Sequence, residues 1–140
     1  MSPRFEQVAV GDEIPTLSKV VTREDVKAYA DASGDQNPLH QDDAFARVVG
    51  FPGIVAHGMF TMAHLASCVV AWLGDPAALK RLRVQFRAPV YMGETIVAGG
   101  TVRSLDAETR RAVLDVWVRL ERDGATEYPI RRGEAEVELA

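Results

Sequence analysis

From Gly58 to Leu73 the chain runs Gly-Met-Phe-Thr-Met-Ala-His-Leu-Ala-Ser-Cys-Val-Val-Ala-Trp-Leu, which leaves almost no polar face at helical spacing. A helix apolar on nearly all sides must be enclosed by other elements or by lipid. Sixteen residues span roughly 24 Å at 1.5 Å per residue, short of the ~20 residues a bilayer crossing takes. His64 also interrupts the run, so the expected enclosure is protein. Gly74-Asp75-Pro76 stops the helix, and a sheet must wrap it.

The sequence downstream supplies that sheet. Leu79 to Val90, Thr95 to Leu105, Arg110 to Arg122 and Thr126 to Leu139 read as four long strands. Alternation is clear in Val116-Trp117-Val118-Arg119-Leu120 and in Ala135-Glu136-Val137-Glu138-Leu139. Asp123-Gly124 is a tight-turn signal, and Gly99-Gly100 inside a strand predicts a sharp bend or bulge. Upstream, Ile14 to Val21 reads as a first strand with Pro15 near its edge. Thr22 caps a helix that carries acids in its first turn and ends at Gly34; Asp42 caps a second, Asp43 to Val49, closed by Gly50. The expected architecture is α+β of the hot-dog kind: a curled antiparallel sheet wrapped around a long central apolar helix at about 58–73. With 140 residues and no linker or repeat, one domain over 1–140 is expected. Such a sheet leaves strand edges open, so dimerisation is the expected remedy.

Partners are narrowed by charge and cysteine count. A formal net charge of −4 gives no footprint for nucleic acid. Cys68 is the single cysteine, so no disulfide forms within the chain, and a reducing cytoplasm without membrane attachment is the expected setting.

Chemistry concentrates just before the apolar helix. Asp35 precedes His40 across the Pro38 turn, close enough for carboxylate and imidazole to meet on one small molecule. Histidine exchanges protons at neutral pH, and a neighbouring carboxylate holds water, shares its proton or sets its tautomer. Taken alone, Asp35 also reads as an Asx-turn residue and His40 as a polar loop residue. Gly58 opens the long helix, where unpaired N–H groups and the positive helix end suit an oxygen that becomes anionic. Its other role there is steric relief. His57 is expected to anchor the loop by hydrogen bonds. No H-E-x-x-H occurs and the three histidines lack metal-ligand spacing, so no metal is expected. Glycine-rich nucleotide loops are absent too, so no cofactor is expected. Lys80, Arg81, Arg83 and Arg87 lead into a strand; alternation places Arg81, Arg83 and Arg87 on one face, able to meet phosphates.

Ser33-Gly34-Asp35-Gln36-Asn37-Pro38-Leu39-His40, followed by Ile54-Val55-Ala56-His57-Gly58-Met59, resembles the signature of the MaoC-like dehydratases, including (R)-specific enoyl-CoA hydratases. Leu82 to Val97 resembles the strand and turn that follow that family's central helix. Val10-Gly11-Asp12, Leu39-His40 and Trp72-Leu73-Gly74-Asp75-Pro76 carry a closer likeness to the catalytic subunit of heterodimeric (3R)-hydroxyacyl-acyl-carrier-protein dehydratases.

The resemblance implies reversible addition of water to trans-2-enoyl thioesters of coenzyme A or acyl carrier protein. Asp35 and His40 would be catalytic and the Gly58 N–H would bind the thioester oxygen. Asn37, Pro38, His57, Met59, Arg83 and Arg87 would contact substrate. A homodimer is expected, with a heterodimer of related hot-dog subunits as the alternative. Where several hydratases place a helix serine near the carboxylate, this chain has Ala66, with Ser67 one step on. The competing function is a non-catalytic acyl-binding or partner subunit; a thioesterase ranks last, because the central helix carries no carboxylate.

Overall fold

A computed structural model describes residues 2–140. The first helix, α1 (Arg23–Ser33), begins where the Thr22 hydroxyl accepts the Asp25 N–H at 3.1 Å and ends where Gly34 turns left-handed at φ +80°. Helix α2 (Asp43–Val48) is capped by Asp42, whose carboxylate accepts the N–H groups of Ala44 and Phe45. Helix α3 (Gly58–Leu73) ends at Gly74, again left-handed at φ +74°. No helix among the described residues is long and apolar enough to cross a membrane.

Five strands form one antiparallel sheet: β1 (Leu17–Val20), β2 (Leu79–Arg83), β3 (Thr95–Asp106), β4 (Arg111–Arg122) and β5 (Ala125–Glu138). Their order is β1-β3-β4-β5-β2, so β1 and β2 are the edges. Ala112, Leu114, Val116, Val118 and Leu120 of β4 alternate into the core, where they meet Leu65, Cys68, Val69 and Leu73 of α3. The sheet covers only part of the helix. Met59, Ala63, Ser67 and Ala71, spaced four apart, form an exposed stripe along it.

Three expected features differ. The first strand is shorter than Ile14 to Val21. Pro15 has no N–H for the ladder, so pairing breaks between the Ile14 N–H, which donates to the Gly100 carbonyl, and Leu17. The strand expected over Leu79 to Val90 stops at Arg83, after which only Phe86 bridges to Ile130. The chain then swings toward α3, where the Ala56 N–H donates to the Val90 carbonyl at 2.8 Å. The glycine pair makes no bulge. Gly99 pairs with Trp117 and Gly100 with Val116 in regular register, and the shift falls later, between Val102 and Ser104. Glycine is required there by close approach, since a Cβ on Gly99 would sit 2.5 Å from the Trp117 ring. Asp123-Gly124 does form the tight hairpin, with φ +53° and +76°.

Candidate active site

Gly34 breaks α1 so sharply that Asp35 emerges on a loop whose polar groups are tied to one another. The Asp35 N–H donates to Ser33 Oγ at 3.1 Å, and Asp35 Oδ1 accepts the Asn37 N–H at 3.3 Å. Asn37 Oδ1 in turn accepts the Leu39 N–H at 3.0 Å, capping the single turn Pro38–His40. Asp35 is therefore an Asx-turn residue as well, and its exposed carboxylate keeps acceptor capacity for a ligand.

The loop is clamped to the segment before α3. The Val55 N–H donates to the Leu39 carbonyl at 3.1 Å, and the Val55 carbonyl accepts from His40 Nδ1. A carbonyl only accepts, so Nδ1 carries the proton and neutral His40 presents a bare lone pair on Nε2. His57 has the same logic. Its Nε2–H donates to the Asp35 carbonyl at 3.1 Å, leaving Nδ1 bare and buried with no protein partner. The His57 ring is 2% exposed and lies flat on His40, with centroids 3.9 Å apart and planes 26° apart; Tyr29 packs on it at 4.9 Å. His57 thus ties Asp35 through its backbone and His40 through its ring, as the expected loop anchor.

One ligand atom each from Asp35, His40 and His57 lies within 4.8 Å of the other two. The trio is a poor metal cage. Stacked imidazoles aim their in-plane lone pairs side by side, whereas a tetrahedral ion needs them to converge at about 2.0–2.1 Å.

A cleft of about 400 Å³ brings His40, Gly58, Thr61 and Phe86 together over a floor that includes Val55 and Val90. The Gly58 N–H has no protein partner among the described residues and sits at the positive end of α3. Steric relief is real here too: a Cβ on Gly58 would meet the Phe86 ring at 3.1 Å. The cleft wall at Pro89 and Val90 is braced from behind. Arg122 pairs with Glu94 at 2.7 Å, donates to the Pro89 carbonyl at 2.9 Å and lies over the Tyr91 ring at 4.6 Å. Glu94 holds the Arg122 guanidinium pKa above its ordinary value.

The structure gathers Asp35, His40 and His57, and His40 and Gly58 line one cleft whose lining does not include Asp35; Asn37 and Pro38 shape the loop and Arg87 stands at the cleft edge. Met59 and Arg83 fall outside the cleft. Met59 lies on the exposed α3 stripe, and Arg83 pairs with Glu134 at 2.9 Å. Arg81 and Arg83 share a face of β2, but Arg87 does not join them, because the strand ends before alternation reaches it. Ser67 is exposed on the α3 stripe and gives Asp35 no hydrogen bond. Sequence reasoning passed over Thr61, buried one turn into α3 and lining the cleft. Its signal was present: it is the one hydroxyl in the first turn of an otherwise apolar helix. Phe86 carried no such signal, since its place over Gly58 depends on where β2 ends.

Comparison with known proteins agrees with this architecture. Residues 5–122 match the family described as MaoC like domain. A 3-hydroxybutyryl-CoA dehydratase of Methylorubrum extorquens is 35% identical over 112 residues, 79% of this chain and 70% of that protein. Among solved structures, the (R)-hydratase from A. caviae involved in PHA biosynthesis superposes with a TM-score of 0.85 at 29% identity, covering 96% of this chain and 99% of that one. A MaoC-like dehydratase superposes at 0.87 with 36% identity over 99% of this chain, which spans only 43% of that longer protein. On the extent of that family match and the hydratases and dehydratases among its relatives, the chain belongs to the MaoC-like family of hydro-lyases.

Proposed function

We propose that the chain reversibly hydrates trans-2-enoyl thioesters, giving (3R)-hydroxyacyl thioesters, in fatty acid metabolism. The observation that carries this reading is His40 Nε2, bare by virtue of the Val55 bond, in one cleft with the free Gly58 N–H and beside the Asp35 carboxylate.

Asp35 and His40 Nε2 hold a water between them. As its oxygen adds to C3 of the enoyl group, the water gives up a proton to the dyad, and the thioester carbonyl becomes enolate-like. The Gly58 N–H and the α3 N-terminus stabilise that oxygen. The dyad then delivers a proton to C2 from the same face. One O–H bond and the C2–C3 π bond break, one C–O and one C–H bond form, and dehydration is the reverse. A merely acyl-binding subunit has no use for a carboxylate and a bare imidazole nitrogen aimed at one water.

A second copy of the chain, or a related subunit, completes the assembly. Two open sheet edges and the exposed stripe Met59, Ala63, Ser67 and Ala71 support this. The free buried thiol of Cys68 fits a reducing cytoplasm.

The test is hydration of crotonyl-CoA, followed as loss of the conjugated enoyl absorbance. Asp35→Asn and His40→Ala should each lower kcat by about 10²-fold or more, with urea midpoints near wild type. Wild-type rates in both variants would remove the dyad from the reaction.

A further inference from the structure

The β4–β5 ladder carries a defect beside the active-site cleft. Val118 pairs with Ile130 and Val116 with Gly133, so β5 holds one residue more than β4 over this interval. Arg132 absorbs the surplus at φ +58°, a left-handed conformation that costs a residue with a Cβ about 1–2 kcal/mol. Successive strand residues normally point to opposite faces. The bulge cancels that alternation, so Arg131 and Arg132 line the same cleft of about 350 Å³, together with Arg87, Glu127 and Tyr128.

This second cleft adjoins the first. Arg87 and Ala88 border both, and the Arg87 N–H donates to the Pro129 carbonyl at 2.8 Å, which fixes the sill between them. Its charges are unspent. Arg83, Arg103, Arg110, Arg111 and Arg122 each pair with a carboxylate. Among the described residues Arg87, Arg131 and Arg132 pair with none: Arg87 bonds the neutral Gln85 side chain, and Arg131 lies over the Tyr128 ring at 5.3 Å. Arg131 and Arg132 also border an outer cleft, but Arg83 and Arg103 already neutralise its Glu134 and Asp115. Three guanidinium groups thus face one carboxylate in a chain of net charge −4. Excess positive charge held by a strained backbone is the mark of an anion subsite, and the forked guanidinium suits phosphate.

We propose that Arg87, Arg131 and Arg132 bind the phosphate-bearing end of the thioester carrier while His40 and Gly58 hold the thioester. This rests on the enoyl-thioester reading and adds the handle by which substrate is gripped. Coenzyme A and the phosphopantetheine of a carrier protein share that chemistry.

The experiment compares wild type with the Arg131→Gln/Arg132→Gln double variant on crotonyl-CoA, crotonyl-carrier protein and crotonyl-pantetheine, which lacks phosphate. KM for crotonyl-CoA should rise about tenfold or more at unchanged kcat, with a weaker salt dependence, while KM for crotonyl-pantetheine stays constant. A parallel rise on the carrier protein assigns the contact to the pantetheine phosphate; a rise on coenzyme A alone assigns it to the nucleotide phosphates. An unchanged KM for crotonyl-CoA, or an equal rise for crotonyl-pantetheine, overturns the subsite. Calorimetric titration with coenzyme A itself separates the two readings. If wild type binds coenzyme A at least tenfold more tightly than the variant but hydrates no thioester, the subsite stands and the hydratase reading fails.

Discussion

Replacing Gly58 by proline removes one N–H and little else. Gly58 is the first residue of α3, the position where proline is tolerated because that N–H has no helical partner. His57 already has φ −58° and ψ 139°, the extended conformation a residue before proline prefers. Stiffening the unfolded chain contributes about 0.4–1 kcal/mol of stability. Against this, the new Cβ would lie 3.1 Å from the Phe86 ring. Phe86 is 51% exposed and able to move aside, at about 0.5–1.5 kcal/mol for an off-rotamer shift. The two nearly cancel, so the urea-derived stability should stay within about 1 kcal/mol of wild type. Catalysis should not. Loss of one oxyanion donor costs about 2.7–4 kcal/mol, or 10²–10³ in kcat. Gly58→Ala is the control, because it adds the same Cβ but keeps the N–H. Initial rates on crotonyl-CoA for the three proteins, with urea titrations alongside, isolate the amide. Equal losses in both variants would make crowding by Phe86 the cause and refute the oxyanion role.

Three further outcomes follow from the site and its supports. His57→Phe keeps the stack on His40 but removes the bond to the Asp35 carbonyl, worth about 0.5–1.5 kcal/mol, together with a buried orphan nitrogen costing about 1–3 kcal/mol. Stability should therefore hold while kcat falls about tenfold at little-changed KM; an unchanged kcat would show that Asp35 needs no such anchor. Arg122→Ala should cost about 2 kcal/mol in urea titrations, because Glu94, only 15% exposed, loses its partner. It should also raise KM by loosening Pro89 and Val90; a loss below about 0.5 kcal/mol would contradict the bracing role. Burial pushes the His64 pKa below 6.5, despite its bond to the Leu17 carbonyl at 2.9 Å. The unfolded chain then binds the extra proton first, so stability should decline as pH falls below about 6.5 and level off below the folded pKa. In His64→Gln this slope should shrink; an identical slope would assign it elsewhere.

Much of the site was legible because its parts are local. Thr22 and Gly34 bracket α1, Asp42 caps α2, and Gly74 ends α3, each through bonds spanning a few residues. Asp35 and His40 approach one another across a single turn, and Asn37 caps that turn by a bond two residues long. Such contacts depend on residue type and spacing, which a sequence displays directly.

The remainder was decided by contacts between distant segments. His57 stacks on His40 only because the Leu39 and Val55 backbones join, and Phe86 covers Gly58 only because β2 ends at Arg83. Alternation predicts which way a side chain points only while register is regular. One extra residue at Arg132 reverses it, bringing Arg131 and Arg132 into one cleft, while Arg83 is drawn off to Glu134. The carboxylate, the imidazole and the helix-start amide were thus determined along the chain. The ring that holds them, the aromatic wall above them and the cationic cleft beside them were set by strand pairing, which no local pattern encodes.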